Sequence, residues 1–291
     1  MLSLVVPIYN SEETIGKCIE SIQLQTFSDI ELILVDDGST DNSGRICDDY
    51  VVNDDRIKVI HQENKGRTEA RWQGVQQANG SWVTFVDSDD MLPKDAIANL
   101  YEKADDETDI VLGNGQELPD ERREVIPMED FRHLAVRGDG TIGVPWGSLY
   151  RRSCLTAYLF DLPREIMMGE YYIFWLRLVF STEKPVNVVY KNVYTKGDDH
   201  TSNCFPWTAA YAQRINELRV SSIPQEQRHL YFHDILHDRV DNLFAVAVYQ
   251  SRREWKKSPF YQEILKDTTL SLKQRIFLAI PSLKLRRWLS R

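Results

Sequence analysis

The chain has 291 residues, of which 42% are hydrophobic and 27% charged, a balance that supplies a buried core and excludes general disorder. Its formal net charge of −9 argues against a nucleic-acid partner, because such binders draw affinity from basic surfaces that displace counterions from phosphates. An acidic protein can hold a nucleotide only where a cation or local donors offset the repulsion.

The predicted elements alternate from the start. Residues 2–8 form a nearly continuous apolar run, the pattern of a buried parallel strand. A turn at Tyr9, Asn10 and Ser11 follows, and Ile15, Cys18, Ile19 and Ile22 then recur at helical spacing. Residues 30–35 read as a second strand, 36–41 as a turn and 42–50 as a helix. A third strand is expected over 57–61, a helix over 68–78, a fourth strand over 82–86 and a helix over 94–104. Such repeated units predict a mostly parallel, doubly wound α/β sheet, since parallel neighbours need crossover connections. After a short strand at 110–112 the pattern becomes mixed. A helix is expected over 170–180, one or two strands over 186–196, and mainly helix over 205–253.

Ligands of an open α/β sheet sit beyond the carboxyl ends of its strands, so the turns above supply the candidate residues. Pro7, Tyr9 and Asn10 end the first strand, Asp36 and Asp37 the second; Asn64, Gly66 and Arg71 follow the third. The strongest local signal is Asp87-Ser88-Asp89-Asp90 directly after the fourth strand. Three carboxylates there repel one another unless a cation or donors compensate, and hard oxygen ligands suit Mg²⁺ or Mn²⁺. Such an ion can bridge to a diphosphate and stabilise charge on a nucleoside-diphosphate leaving group. The plain alternative is a solvated acidic turn capping the next helix.

Taken together, Leu-Val-Val-Pro-Ile-Tyr-Asn at 4–10, Gln-Thr-Phe at 25–27, the run from Glu31 to Asp41, Asn64-Lys65-Gly66, Ala70-Arg71 and Phe-Val-Asp-Ser-Asp-Asp at 85–90 form an ordered series. It resembles the family-2 glycosyltransferases of bacterial surface-glycan type, densely over the first hundred residues and more loosely as far as His200. The resemblance implies a GT-A fold, Rossmann-like and mostly parallel, over 1–204, with a nucleotide-sugar half at 1–112 and an acceptor half at 113–204. A helical C-terminal region over 205–291 would follow. It also implies a nucleoside-diphosphate sugar as donor, a UDP-sugar being favoured, a glycan or lipid-linked glycan as acceptor, inversion at the anomeric carbon, and Mn²⁺ or Mg²⁺ as cofactor.

The same resemblance assigns roles. Pro7, Tyr9 and Glu12 would lie around base and ribose, with Asn10 in the same turn, and Asp37 would accept a hydrogen bond from the base edge. Asp36 would support that loop. Gly66, Arg71 and Ser88 would line the nucleotide site, Arg71 at the base or diphosphate. Asp87 would contact ribose, Asp89 with Asp90 would hold the metal, and His200 would complete metal or diphosphate coordination. Trp146 resembles the aromatic wall on which acceptor sugars stack, with plain packing as the alternative.

One departure is conspicuous. The family's base is the Asp of a Glu-Asp pair at a helix start, and here Glu170 is followed by Tyr171. A phenol with a pKa of about 10 is a poor base near neutrality. Three explanations stand: Glu170 reaches the acceptor, Asp198 or Asp199 substitutes, or the protein binds donor with weak or no turnover.

Other signals are weaker. His229, His233 and His237 recur every fourth residue, a solvated helix stripe before a zinc site. Cys18, Cys47, Cys154 and Cys204 form no C-x-x-C pair and fit reduced, buried thiols. Neither a signal peptide nor an apolar run of ~18 residues is visible, so a cytoplasmic protein is expected. From Leu272 onward, basic residues alternate with apolar ones and no acidic residue occurs. That tail suits peripheral binding to the inner face of a membrane, or docking on its own domain or on the partner of a homodimer.

Overall fold

A computed structural model of the chain describes residues 1–113, 123–138, 144–197, 208–249, 256–257 and 259–279. The chain divides into two compact units, Met1–Arg132 with Asp139–Asp199, and His133–Gly138 with His200–Arg291.

The first unit holds eight strands: β1 Leu2–Ile8, β2 Ile30–Asp36, β3 Ile57–His61, β4 Trp82–Phe85, β5 Ile110–Leu112, β6 Val125–Ile126, β7 Leu149–Arg151 and β8 Val186–Val188. Helices α1 Ile15–Gln23, α2 Ser43–Val51, α3 Arg67–Gln77 and α4 Ala96–Tyr101 follow the first four strands. Helix α5, Met128–Arg137, runs across the division between the units, and α6 Ala157–Phe160 and α7 Glu170–Val179 come later in the first. The sheet order is β3-β2-β1-β4-β7-β5-β8-β6.

β1 and β2 are buried along all seven residues, as expected of central parallel strands covered on both faces. α1 packs Ile15, Cys18, Ile19 and Ile22 inward, its helical stripe meeting the sheet. Pro7 sits in β1 without disturbing the ladder. Val5 accepts from the Val86 N–H on the β4 side and Ile8 from the Asp37 N–H on the β2 side. Pro7, like Val5, therefore faces β4, whose pairing with β1 ends at Val5 and Phe85, so no ladder bond is lost. A Cβ added to Gly74 would lie 2.3 Å from Val5 Cγ1, so α3 approaches β1 at a spacing only glycine permits.

The parallel sheet expected from the alternation is found for β3, β2, β1 and β4. Beyond β4 the sheet is mixed: β7 lies antiparallel between β4 and β5, β8 is parallel to β5, and β6 antiparallel to β8. β7 and β6 span three and two residues, too few to display a period. The helix expected over 94–104 shortens to α4, its first turn closed by the Ala96 N–H bonding Pro93 O. The strands expected over 186–196 reduce to β8 and a bridge between Met91 and Thr195. Cys18 and Cys47 are buried free thiols, and burial pushes Cys47 up to about 12.

In the second unit, α8 Ala209–Ser221 starts at Thr208, whose hydroxyl accepts the Tyr211 N–H at 3.1 Å. With α9 Phe232–Tyr249 and two short helices, Pro259–Leu265 and Leu272–Ala279, it surrounds a core of Ala212, Leu236, Val240, Tyr261, Ile264 and Leu270. His229 precedes α9, so the three spaced histidines do not share one helix. Among the described residues, no helix is long and apolar enough to cross a membrane.

Candidate functional site

Strand order reverses at β1, whose neighbours β2 and β4 continue to opposite edges. The turns leaving β1, β2 and β4 meet beyond this switch point, the place where ligands of open α/β sheets bind. The first two turns are laced together. Asn10 takes a left-handed φ of 51°, and its Oδ1 accepts the Thr40 N–H at 2.8 Å while its own N–H donates to Ser39 Oγ at 3.1 Å. Glu12 Oε2 accepts from Asn42 N and Nδ2 at 3.0 and 2.7 Å. Glu12 therefore ties down the start of α2, a structural use of the carboxylate expected near the ribose. Pro7 is buried, whereas Tyr9 is 51% exposed and presents its ring at the strand end.

Asp36 is bonded within its own loop and to β3. Its Oδ1 accepts the Ser39 N–H at 3.0 Å and its Oδ2 meets His61 Nδ1 at 2.9 Å. Burial raises its pKa, but the bonds from Ser39 and His61 outweigh that and hold it below the usual carboxylate range. Asp37 differs from expectation. Only 2% exposed, it accepts from Gln62 Nε2 and the Lys65 N–H at 2.7 Å each, and from the Gly66 N–H at 2.8 Å. These donors turn its carboxylate into the clamp of the loop before α3, in place of a contact with a base edge.

At the end of β4 the acidic residues separate by environment. Asp87 Oδ1 receives Arg71 Nη2 at 2.8 Å, and Arg71, 4% exposed, also places Nη1 3.9 Å from Glu170 Oε1. The Asp87 N–H donates to the Tyr194 hydroxyl at 3.0 Å, and Ser88 Oγ lies 2.7 Å from Ser11 Oγ. Asp90 is 7% exposed, its Oδ2 accepting the Tyr194 hydroxyl and its Oδ1 the Gly197 N–H, both at 2.7 Å. Burial pushes its carboxyl up to about 6 despite those two bonds. Asp90, expected beside Asp89 as a metal ligand, thus turns inward, each oxygen accepting one inner donor. Asp89, between these two anchored residues, is half-buried. Among the described residues no group of three or more potential ligands gathers.

Glu170 and Tyr171 open α7. Glu170 is 3% exposed, Oε1 lies 3.8 Å from Arg67 and 3.9 Å from Arg71, and Oε2 is buried without a hydrogen-bond partner. Burial raises its pKa, with Arg67 and Arg71 opposing. That would suit a base; the residue lies in a small crevice shared with Thr68, Arg71, Pro145, Phe160, Tyr171 and Phe174. Glu170, expected to reach the acceptor, is thus a buried carboxylate facing two arginines. Tyr171 instead faces Trp146, ring centroids 6.4 Å apart, and Lys196 lies 5.3 Å from the centre of the Trp146 ring. Asp198, Asp199 and His200 fall outside the described residues.

Sequence reasoning missed Tyr194, Gln62, Arg67 and Lys196. Nothing local marks them, since each acquires its place from contacts with distant residues.

With this geometry, the match to known proteins is decisive. A family model for "Glycosyl transferase family 2" covers residues 3–164 of the 291. The chain belongs to glycosyl transferase family 2. Within that family it is 47% identical over 116 residues to the glycosyltransferase GlyG of Streptococcus pneumoniae serotype 4, covering 39% of this chain and 38% of that one. It is 36% identical over 172 residues to the putative glycosyltransferase EpsH of Bacillus subtilis, covering 56% and 50%. A third relative, 38% identical over 115 residues (39% and 37% of the two chains), is the GalNAc(5)-diNAcBac-PP-undecaprenol beta-1,3-glucosyltransferase of Campylobacter jejuni. The chain spans half or less of the length of each. The fold matches Staphylococcus aureus TarS with a TM-score of 0.69 at 19% identity, over 98% of this chain and 54% of that one. TarS 1–349 with UDP-GlcNAc gives 0.61 at 23% identity, covering 95% and 79%. The mannosyltransferase PcManGT of Pyrobaculum calidifontis, in complex with GDP-Man and Mn²⁺, gives 0.59 at 16%, covering 99% and 83%. These likenesses establish a GT-A fold.

Proposed function

We propose that the protein transfers a sugar from a nucleoside-diphosphate sugar, a UDP-sugar above others, to a hydroxyl of a glycan or lipid-linked glycan, with inversion. The observation that carries the reading is the β4 turn: Asp87 paired with a buried arginine and followed by Asp89, at the switch point of a parallel sheet. A relative named for a PP-undecaprenol glycan and a TarS structure with UDP-GlcNAc support the acceptor and donor classes.

Each residue then has a physical task. Tyr9 offers an exposed ring against which a base can stack. Asp36 and Asp37 fix the loops that shape the nucleotide pocket. Arg71 holds Asp87 in place and lessens the repulsion within the acidic turn. Trp146 and Tyr171 form an aromatic wall for the acceptor.

Asp89, with Asp87 beside it, fits Mg²⁺ or Mn²⁺, which take one or two protein carboxylates and leave other positions to phosphate and water. Bound there, the cation would neutralise charge growing on the diphosphate leaving group.

A thermal-shift panel of nucleoside diphosphates and sugar nucleotides, with and without Mn²⁺, tests this reading. The expected result is a UDP-type ligand raising Tm most, and more with metal than without, because stabilisation grows as RT ln(1 + [L]/Kd). No shift with any nucleotide, with or without Mn²⁺, would sink it.

A second reading, a donor-binding protein with weak turnover, is favoured by Tyr171 at the base position beside a buried Glu170. Installing the carboxylate decides. Tyr171→Asp should raise transfer roughly 10²–10⁴-fold, the range contributed by general bases, at unchanged donor affinity; no gain removes the impaired-base reading.

A further inference from the structure

We propose that Tyr194 and Asp90 are positioning residues that clasp the segment 195–197 onto the turn 87–89, and so set how strongly a divalent cation and a nucleoside diphosphate reinforce each other's binding. The inference rests on the donor-site reading above.

Several ties join the two segments. The Tyr194 hydroxyl uses both of its functions, accepting the Asp87 N–H at 3.0 Å and donating to Asp90 Oδ2 at 2.7 Å. Asp90 Oδ1 takes the Gly197 N–H at 2.7 Å. Between them, Met91 and Thr195 exchange both backbone bonds at 2.9 Å. A Cβ added to Gly197 would fall 2.0 Å from the Asp89 carbonyl oxygen, so the segment lies directly against the residue that would meet the cation.

The physical consequence concerns Asp89. Tyr194 and Asp90 are 6% and 7% exposed, so water competes little for their bonds and a lost partner leaves a buried polar group unsatisfied. Asp87 is fixed from one side by Arg71 and Asp90 from the other by Tyr194 and Gly197. The backbone that carries Asp89 is therefore pinned at both ends. Its carboxylate meets a cation from a preset backbone, without first ordering the turn.

Supporting partners of this kind typically change metal affinity by ~10–100-fold. Calorimetric titration of UDP into the full chain, in Mn²⁺ and separately in EDTA, reads the effect. Tyr194→Phe keeps the ring and removes the hydroxyl. It is expected to weaken UDP binding ~10–100-fold in Mn²⁺ while leaving binding in EDTA at the wild-type value. Asp90→Asn, which leaves one oxygen acceptor in place, should move the ratio of the two affinities the same way, and it carries the test if Tyr194→Phe does not fold. Were both residues mere packing, Tm would fall while that ratio stayed at the wild-type value, and the proposal would be overturned. Wild-type binding that is equal in Mn²⁺ and EDTA also overturns it. Failure of the wild type to bind any nucleoside diphosphate removes the donor-site reading and this inference together, whereas Mn²⁺-linked binding kept by both variants removes only the latter.

Discussion

With its guanidinium buried between Asp87 and Glu170, Arg71 carries the charge balance of the site. Removing it leaves a Glu170 carboxylate that is 3% exposed with Arg67 alone, and takes the partner from Asp87. Arg71→Met is expected to cost about 3–5 kcal/mol of stability, the range for breaking a buried pair from one side, read by urea unfolding. Arg71→Lys should recover only part, because a single ammonium cannot present the planar fork that faces two carboxylates at once. Legibility at this scale was uneven. The acidic turn stood out because carboxylates clustered at a strand end need an explanation. Which of them faces inward was hidden, since Asp90 is turned by Tyr194, 104 residues away, and Glu170 by arginines on α3.

Among the elements, β2 is tied to the entry of β4 through one buried carboxylate. Glu31 accepts from Ser3 Oγ and the Asn79 N–H at 2.6 Å, and from Lys58 Nζ at 2.7 Å. Burial raises its pKa, but the bonds from Lys58, Ser3 and Asn79 prevail and lower it from 4.5 to about 2. Because the folded value lies below the unfolded one, this stabilisation is complete above pH 4.5 and is lost as pH falls towards about 2. Glu31→Gln should therefore be less stable than wild type at neutral pH, and the gap should close in acid. Urea unfolding at a series of pH values checks this; a gap that is constant across the series rejects it. The long periodic helices and β1–β4 were legible because each repeats its pattern over enough residues. β6 and β7 are too short for that, and their pairing partners alone define them.

For the whole molecule, charge is unevenly placed. An acidic chain of net charge −9 ends in a stretch from Leu272 that carries only basic charges. We propose that this stretch holds the protein on anionic lipid. Full-length protein should co-sediment with phosphatidylglycerol vesicles at low salt and release as salt rises. Replacing Lys284, Arg286, Arg287 and Arg291 by Gln should abolish the effect; equal sedimentation of both proteins rejects it.

The sequence by itself determined the strand-turn-helix alternation and the positions of the turns that bear carboxylates. Hydrophobic period and turn chemistry are local properties, written in residues a few places apart. Only the tertiary structure decided that Asp37 clamps a loop, that Asp90 points inward, that Glu170 is closed off and that β7 interrupts the parallel order. Each depends on which distant group arrives to donate a hydrogen bond or fill a gap, and that follows from packing the whole sheet.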